Sequence, residues 1–527
     1  MKACRRLYLA IMAAASVLAT ATAPAQQPAA AQTAQIEAAI VVNTDAPGPV
    51  INKDIYGQFS EHLGRGVYGG LWVGPGSKIP NTRGFRNDVV AALKALDVPV
   101  LRWPGGCFAD KYDWRDGIGP RADRPRRVNT AWGDVPETNA VGTDEYMDLL
   151  GQIGADAYVA GNMGSNTPME MARWIEYMTA PPSATLGGQR RADGHAAPYR
   201  ISYFGIGNES WGCGGSMMPE QAAAETRRYS TFLAFPRGAN TLRVAAGPNA
   251  DDYRYTEALM RDAGSFFDAL SVHYYTFADS FDHKGQAVGF PEREWARTFK
   301  NAVRMEEFVT RHSAIMDRYD PGKRVMLAID EWGTWHDTPP GADPNLYMFQ
   351  NTMRDALVAA LTFNIFHRHS GRVRMATIAQ MINVDQAMIL TDGPRMLRTP
   401  TYWAFDLYKP FKGAAPLATS LSGPNYRFGD DTLPAIDASV ARAPDGRIWV
   451  ALTNIDAHQS HRVRMTFSGF APLGATGRIL TAPAMDTHNT FDEPDRLRPA
   501  PFRADAEGGK LVVDMPARSI VVAAVDR

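Results

Sequence analysis

Two acidic segments stand out for what they could do chemically. FGIGNESWG, residues 204–212, closes an apolar run with the pair Asn208-Glu209, and VMLAIDEWGTW, residues 325–335, closes another with Asp330-Glu331. A carboxylic acid can donate a proton near neutral pH if burial or a nearby negative charge raises its pKa. The amide beside Glu209 can bind a sugar hydroxyl. Two carboxylates facing each other across a glycosidic bond hydrolyse it, with retention at about 5 Å separation and inversion at about 6.5–9.5 Å. Asp330 and Glu331 are neighbours on a strand, so they are expected on opposite faces, with only one at the site. Glu61, Asn162, Asn208 and Gln386 could satisfy hydroxyls around the same centre. Trp72, Trp132, Trp211, Trp332 and Trp335 offer apolar faces for sugar C–H surfaces, or simply fill core space. Arg102 follows an apolar run, and a buried arginine needs a carboxylate partner, for which Glu61 and Glu331 are the candidates.

The elements that must position these groups alternate in type. Strand-like runs at 54–61, 98–106, 157–164, 201–210, 242–249, 267–276, 324–332 and 372–384 are separated by segments with helical spacing, such as 86–96, 143–154, 168–178, 301–319 and 350–369. Eight strand–helix units predict a parallel (β/α)8 barrel over residues 51–404. Glu61, Arg102, Cys107, Asn162, Asn208, Glu209, His273, Tyr275 and Glu331 all follow apolar runs, at the end where such a barrel carries its active site. After Phe405 the runs become short and partly alternating, as in an antiparallel β-sandwich over 405–527. Residues 35–50 read as one more strand, able to pair with that sheet.

The start of the chain reads as a signal peptide over 1–25: Lys2, Arg5 and Arg6 precede a short apolar run and Ala23-Pro24-Ala25. The run is shorter than the roughly 20 residues of a membrane span. It predicts export to the periplasm or medium, followed by a linker over 26–34 and no further membrane segment. The formal net charge of -1 gives no basic surplus for a phosphate backbone, which argues against nucleic acid as partner. Cys107 and Cys213 can form one bridge outside the cytoplasm, although the motif around Cys107 favours a free thiol near the site. The sequence contains no GxGxxG after an early strand, Walker loop, HExxH or GxSxG, and no Cys/His/Asp cluster demands zinc. No cofactor or metal is expected. A second barrel glycosidase class, an endo-glucanase or xylanase, could use the same carboxylate pair. A non-catalytic polysaccharide-binding protein would instead make 405–527 the functional part.

The chain resembles glycoside hydrolase family 51, the α-L-arabinofuranosidases, in YGQFSEHLGRGVYGG (56–70), LRWPGGCFADKYDWRDGIGP (101–120) and YFGIGNESWGCGG (203–215). The likeness continues through LSVHYYT (270–276), LAIDEWGTW (327–335) and NIFHRHSGRVRMATIAQMINV (364–384), and spans about residues 35–527. It implies a retaining, exo-acting enzyme with Glu209 as acid/base and Glu331 as nucleophile. It also implies that Glu61 and Asn208 bind arabinose hydroxyls, that Arg102 supports them, and that Cys107 and Trp132 line the furanose pocket. His273, Tyr275 and Gln386 match positions around the nucleophile, with Gln380 competing for the place of Gln386. The resemblance further implies a jelly-roll-like sandwich completed by N-terminal residues, arabinose-containing plant polysaccharides as partners, and a homo-oligomer, commonly a hexamer. The segment 129–139 and Asp385 depart from the family pattern.

Overall fold

The computed structural model describes residues 37–527. The expected leader and linker lie outside them. Eight short strands, nearly all buried, hydrogen-bond in parallel and in chain order into a closed barrel. They are β2 (Gly57–Phe59), β3 (Val100–Trp103), β4 (Asp156–Gly161), β5 (Tyr203–Ile206), β6 (Leu242–Ala245), β7 (Ala269–Thr276), β8 (Met326–Thr334) and β9 (Val373–Ile378). Each is followed by helix, from Asn87–Leu96 after β2 to Pro400–Tyr408 after β9. Strands this uniformly apolar form because both faces are covered, by helices outside and by side chains within. Val100, Tyr158, Tyr203, Val244, Ala269, Met326, Ala328 and Met375 pack into one interior cluster, a filled core rather than a channel.

Beside the site, β8 departs from simple alternation. The register of β7 against β8 pairs Ser271 with Ala328 but His273 with Glu331, so β8 carries one extra residue there. The same excess shows against β9, where Ile329 pairs with Ala376 and Trp332 with Ile378. Such a bulge re-aims side chains beside it. Asp330 and Glu331 are therefore not on opposite faces: both reach Arg102 and His273 inside the barrel. This corrects the expectation drawn from strand periodicity.

The second sheet is also closed, with nine strands. The N-terminal β1 (Glu37–Pro47) alternates exposed and buried residues. It pairs antiparallel with Ala415–Ser422 and parallel with His461–Phe467. It thus joins two edges that would otherwise be open, which removes a template for aggregation. Ala38, Ile40 and Val42 from β1 pack with Val450, Leu452, Val463 and Met465 in the core of this sheet. The described residues form one compact unit. Among the described residues no helix is long and apolar enough to cross a membrane.

Candidate active site

The C-terminal ends of β3, β5, β7 and β8 bring the acidic pairs together. Arg102, at the end of β3, donates from Nη1 to Glu331 Oε1 (2.7 Å) and from Nη2 to Asn208 Oδ1 (2.7 Å). Tyr275 donates its hydroxyl to the other oxygen of Glu331 (2.8 Å). Gly106 approaches so closely that a Cβ there would meet Glu331 Oε1 at 2.7 Å. Of the two partners anticipated for Arg102, it takes Glu331.

Glu209 sits in a different setting. Its Oε1 lies 2.9 Å from His273 Nδ1, and the same nitrogen is 3.5 Å from Glu331 Oε2. The oxygens of the two glutamates and the imidazole nitrogen lie within 4.8 Å of one another, close to the separation that suits retention. Burial raises the pKa of Glu209, the negative charge of Glu331 raises it further, and the hydrogen bond to His273 opposes both. Burial would lower His273, but the carboxylates of Glu331, Asp330 and Glu209 carry it up to about 10. Burial pushes Asp330 up, yet Arg102 and His273 hold it well below the usual carboxylate range. Asp330 also accepts from Tyr158 (2.6 Å) and from Ser271.

Backbone geometry fixes where Glu209 points. It occupies φ +37°, an unfavourable region for a residue with a Cβ. Its carbonyl accepts from Gly212 N (2.7 Å) and Gly214 N (3.1 Å). A Cβ on Gly214 would overlap Asn208 O at 1.7 Å. Asp110 ties this turn to its neighbours, accepting from Asn208 N (2.8 Å), Met163 N (2.8 Å) and Gly164 N (2.7 Å). Burial pushes its pKa up to about 7 while the three N–H groups pull the other way. Asp110 lies inside a 3-10 turn rather than at a strand end, so no apolar run in the sequence points to it.

Cys107 and Cys213 are bonded to each other (S–S 2.02 Å), which corrects the expectation of a free thiol. The bridge forms because Cys213 belongs to the tight glycine-rich turn after Glu209, which folds back toward the β3 loop. The two sulfurs lie 3.9 and 3.6 Å from Glu209 Oε2. Bridged sulfurs carry no hydrogen, so these are van der Waals contacts and leave that oxygen without a donor there.

Glu61 accepts from the backbone of Gly106 (2.9 Å) and Phe108 (3.0 Å), and from Gln380 Nε2 (3.2 Å). Burial and then Glu331 raise its pKa to about 7. Gln380 lines the pocket, whereas Gln386 does not. The amide of Gln386 is taken up behind the wall, by Thr334 N (2.7 Å), Asp355 O (2.6 Å) and Thr401 Oγ1 (3.2 Å). The assignment of Gln386 to the pocket is therefore corrected in favour of Gln380. Asn162 is also withdrawn, bonded to Tyr112 O (3.1 Å) and Ser165. Among the tryptophans, Trp72 and Trp332 are buried in the core, while Trp132 and Trp335 line the pocket.

Glu209 and Glu331 face a small cavity of about 60 Å³, lined also by Glu61, Cys107, Trp132, Asn208, Tyr275 and Tyr347 among others. It adjoins a cleft of about 620 Å³ bordered by Trp132, Trp211, Phe281, Trp335 and Tyr347. The aromatic rim is continuous: Trp335 packs edge-on against Tyr275, Tyr347 and Phe281. Two groups in this region bring three possible metal ligands together, Cys107–Glu209–Cys213 and Glu209–His273–Glu331. In the first the sulfurs are spent on each other. In the second both ring nitrogens of His273 face carboxylates.

Comparison with known proteins agrees with this geometry. The Alpha-L-arabinofuranosidase 1 domain matches residues 92–286, and the Alpha-L-arabinofuranosidase C-terminal domain matches residues 330–519. An intracellular exo-alpha-L-arabinofuranosidase from Bacteroides ovatus is 43% identical over 93% of this chain and 95% of its own length. The crystal structure of the GH51 arabinofuranosidase from Xanthomonas axonopodis pv. citri superposes with a TM-score of 0.92 at 50% identity, covering 93% of this chain and all of that one. The GH51 alpha-L-arabinofuranosidase of Thermotoga petrophila gives a TM-score of 0.82 at 28% identity, again over 93% of this chain and 100% of its own. The intracellular relative overturns the expectation of a periplasmic or extracellular protein. With nearly its whole length shared, the chain belongs to glycoside hydrolase family 51, the α-L-arabinofuranosidases.

Proposed function

We propose that the protein removes single α-L-arabinofuranosyl residues from the non-reducing ends of arabinan, arabinoxylan or their oligosaccharides, with retention. The observation that carries this reading is the meeting of Glu209 and Glu331 on one imidazole nitrogen at the floor of a small cavity. One furanosyl ring occupies the cavity, and the leaving sugar lies in the aromatic cleft, where ring faces stack on its C–H surfaces.

Glu331 is the nucleophile. Arg102 and Tyr275 donate to its two oxygens and orient it toward the anomeric carbon. Glu209 is the acid: it gives its proton to the leaving oxygen as the covalent glycosyl–Glu331 ester forms, then takes a proton from the water that cleaves that ester. His273 bridges the two carboxyl groups and limits their repulsion. Glu61, Asn208 and Gln380 bind ring hydroxyls. Trp132 closes the rim, and the Cys107–Cys213 bridge forms the wall beside Glu209. Residues 51–404 carry the chemistry, 405–527 with 37–50 brace the barrel, and the assembly is a homo-oligomer, hexameric by family resemblance.

The test is a product analysis on arabinan and arabinoxylan, with the anomeric configuration followed by NMR from the first turnovers. Free α-configured arabinose is expected. Internal oligosaccharide fragments, or a β-configured first product, would overturn the reading. Sedimentation analysis of the purified protein tests the assembly state.

A further inference from the structure

Asp385 is a buried acid with no assigned role. It lies in the loop after β9, 4% exposed, and its side chain lines the cavity that holds Glu61 and Glu331. Everything around the carboxyl is tied down. Its backbone N–H donates to Tyr347 O (2.9 Å), and its carbonyl accepts from Asn351 Nδ2 (3.0 Å) and Ala387 N (2.9 Å). The neighbouring Gln386 is fixed by its bonds to Thr334 and Asp355. The residue is held at φ +49°, in the left-handed region. Yet Oδ1 has no hydrogen-bond partner among the described residues.

A rigid, strained loop that drives a polar side chain into an apolar-lipped pocket without a partner is costly. The cost is offset when a ligand supplies the missing bond. Burial, with Glu61 and Glu331 nearby, raises the carboxyl far above its ordinary range. A protonated acid both donates and accepts, as a sugar hydroxyl does.

We propose that Asp385 is a specificity-determining residue, which hydrogen-bonds one hydroxyl of the furanosyl ring on the Glu61 side of the pocket. This rests on the arabinofuranosidase reading above. The bond completes an otherwise unpartnered wall, so a ring lacking that hydroxyl leaves Asp385 buried and alone.

The test uses 4-nitrophenyl α-L-arabinofuranoside and its 2-, 3- and 5-deoxy analogues, with kcat/KM measured for the full-length enzyme and for Asp385→Leu. The expected result is a loss of about 10- to 100-fold on the parent compound. That loss should vanish on one deoxy analogue and persist on the other two. Asp385→Asn, which keeps both a donor and an acceptor, should regain most of the parent activity. If Asp385→Leu does not fold, Asp385→Ser, too short to span the gap, takes its place. Equal losses on all four substrates, or no loss on any, would overturn the proposal. Failure of the wild-type enzyme to cleave the parent furanoside would instead overturn the underlying activity, so the two failures are distinguishable.

Discussion

The two walls of the pocket treat a glutamate in opposite ways. On one side Glu331 receives two strong donors, Arg102 and Tyr275, from β3 and β7. On the other, Glu209 has one partner, His273, and its second oxygen faces a disulfide with no hydrogen to give. Burial without donors favours the neutral acid, and the pKa of Glu209 is raised, by burial first and then by the charge of Glu331 against the opposing bond to His273. The same residue type, a few ångströms apart, is thus clamped by two donors in one place and left with a single partner in the other, a difference that suits the proposed roles of nucleophile and acid. The second partner of each cation matters as well. Asp330 shares both Arg102 and His273 with the site, so two cations are offset by two carboxylates before Glu209 is counted.

The comparison breaks most severely at the nucleophile. Glu331→Ala should lower turnover by about 10⁴-fold or more on every substrate, because no other group can form the ester. Azide should restore some rate and give an arabinosyl azide of inverted configuration. Glu209→Ala should cost about 10²- to 10⁴-fold on natural oligosaccharides. It should cost far less on aryl furanosides whose leaving group needs no proton, and azide should give the retained product. Equal sensitivity of the two variants to leaving-group quality would erase the distinction between the walls.

A milder break lies behind the acid. Asp110 touches no substrate-lining carboxyl; it holds the backbone of Asn208 and of the β4 loop. Asp110→Asn turns an NH₂ toward one of three N–H donors, so the turn that carries Glu209 must shift. We expect roughly a 10- to 100-fold fall in kcat on poor leaving groups, since small misplacements of a catalytic group cost that much. Activated aryl furanosides should lose less. A uniform loss across leaving groups would make Asp110 a stability residue only.

How much of this was legible in the sequence follows from periodicity. The eight barrel strands and the sheet strand at 37–47 announce themselves, because buried faces demand apolar residues at regular spacing. Irregularity hides what remains. The extra residue in β8 is invisible in VMLAIDEWGTW, where strict alternation would send Asp330 and Glu331 apart. The choice between Gln380 and Gln386 depends on a loop with Asn383 and Asp385 at positive φ, which no local pattern specifies. The pairing of Cys107 with Cys213 joins residues 106 positions apart. Only the turn at Glu209 brings them together, and a turn at φ +37° has no period to read. The repeated scaffold is therefore legible in the sequence, and the site is less so, because there the backbone leaves regular geometry.

The smallest expected effect is also the most selective test of the Glu209 wall. Reduction of the bridge creates two thiols beside Oε2, and a thiol is a weak donor. A donor to the charged form favours ionisation, so the pKa of Glu209 should fall. The acid works while protonated, and activity is lost as pH rises through its pKa. Reduction should therefore move the alkaline limb of the kcat profile to lower pH, by about half a unit to one unit, or roughly 1 kcal/mol. Replacing both cysteines with alanine removes the bridge and the donors alike. That variant should lose stability, about 5 kcal/mol for a loop of this length on chain-entropy grounds, yet keep its alkaline limb near that of the oxidised enzyme. If the double alanine variant shifts as far as the reduced protein, the bridge acts by holding the turn rather than by withholding hydrogen bonds from the acid.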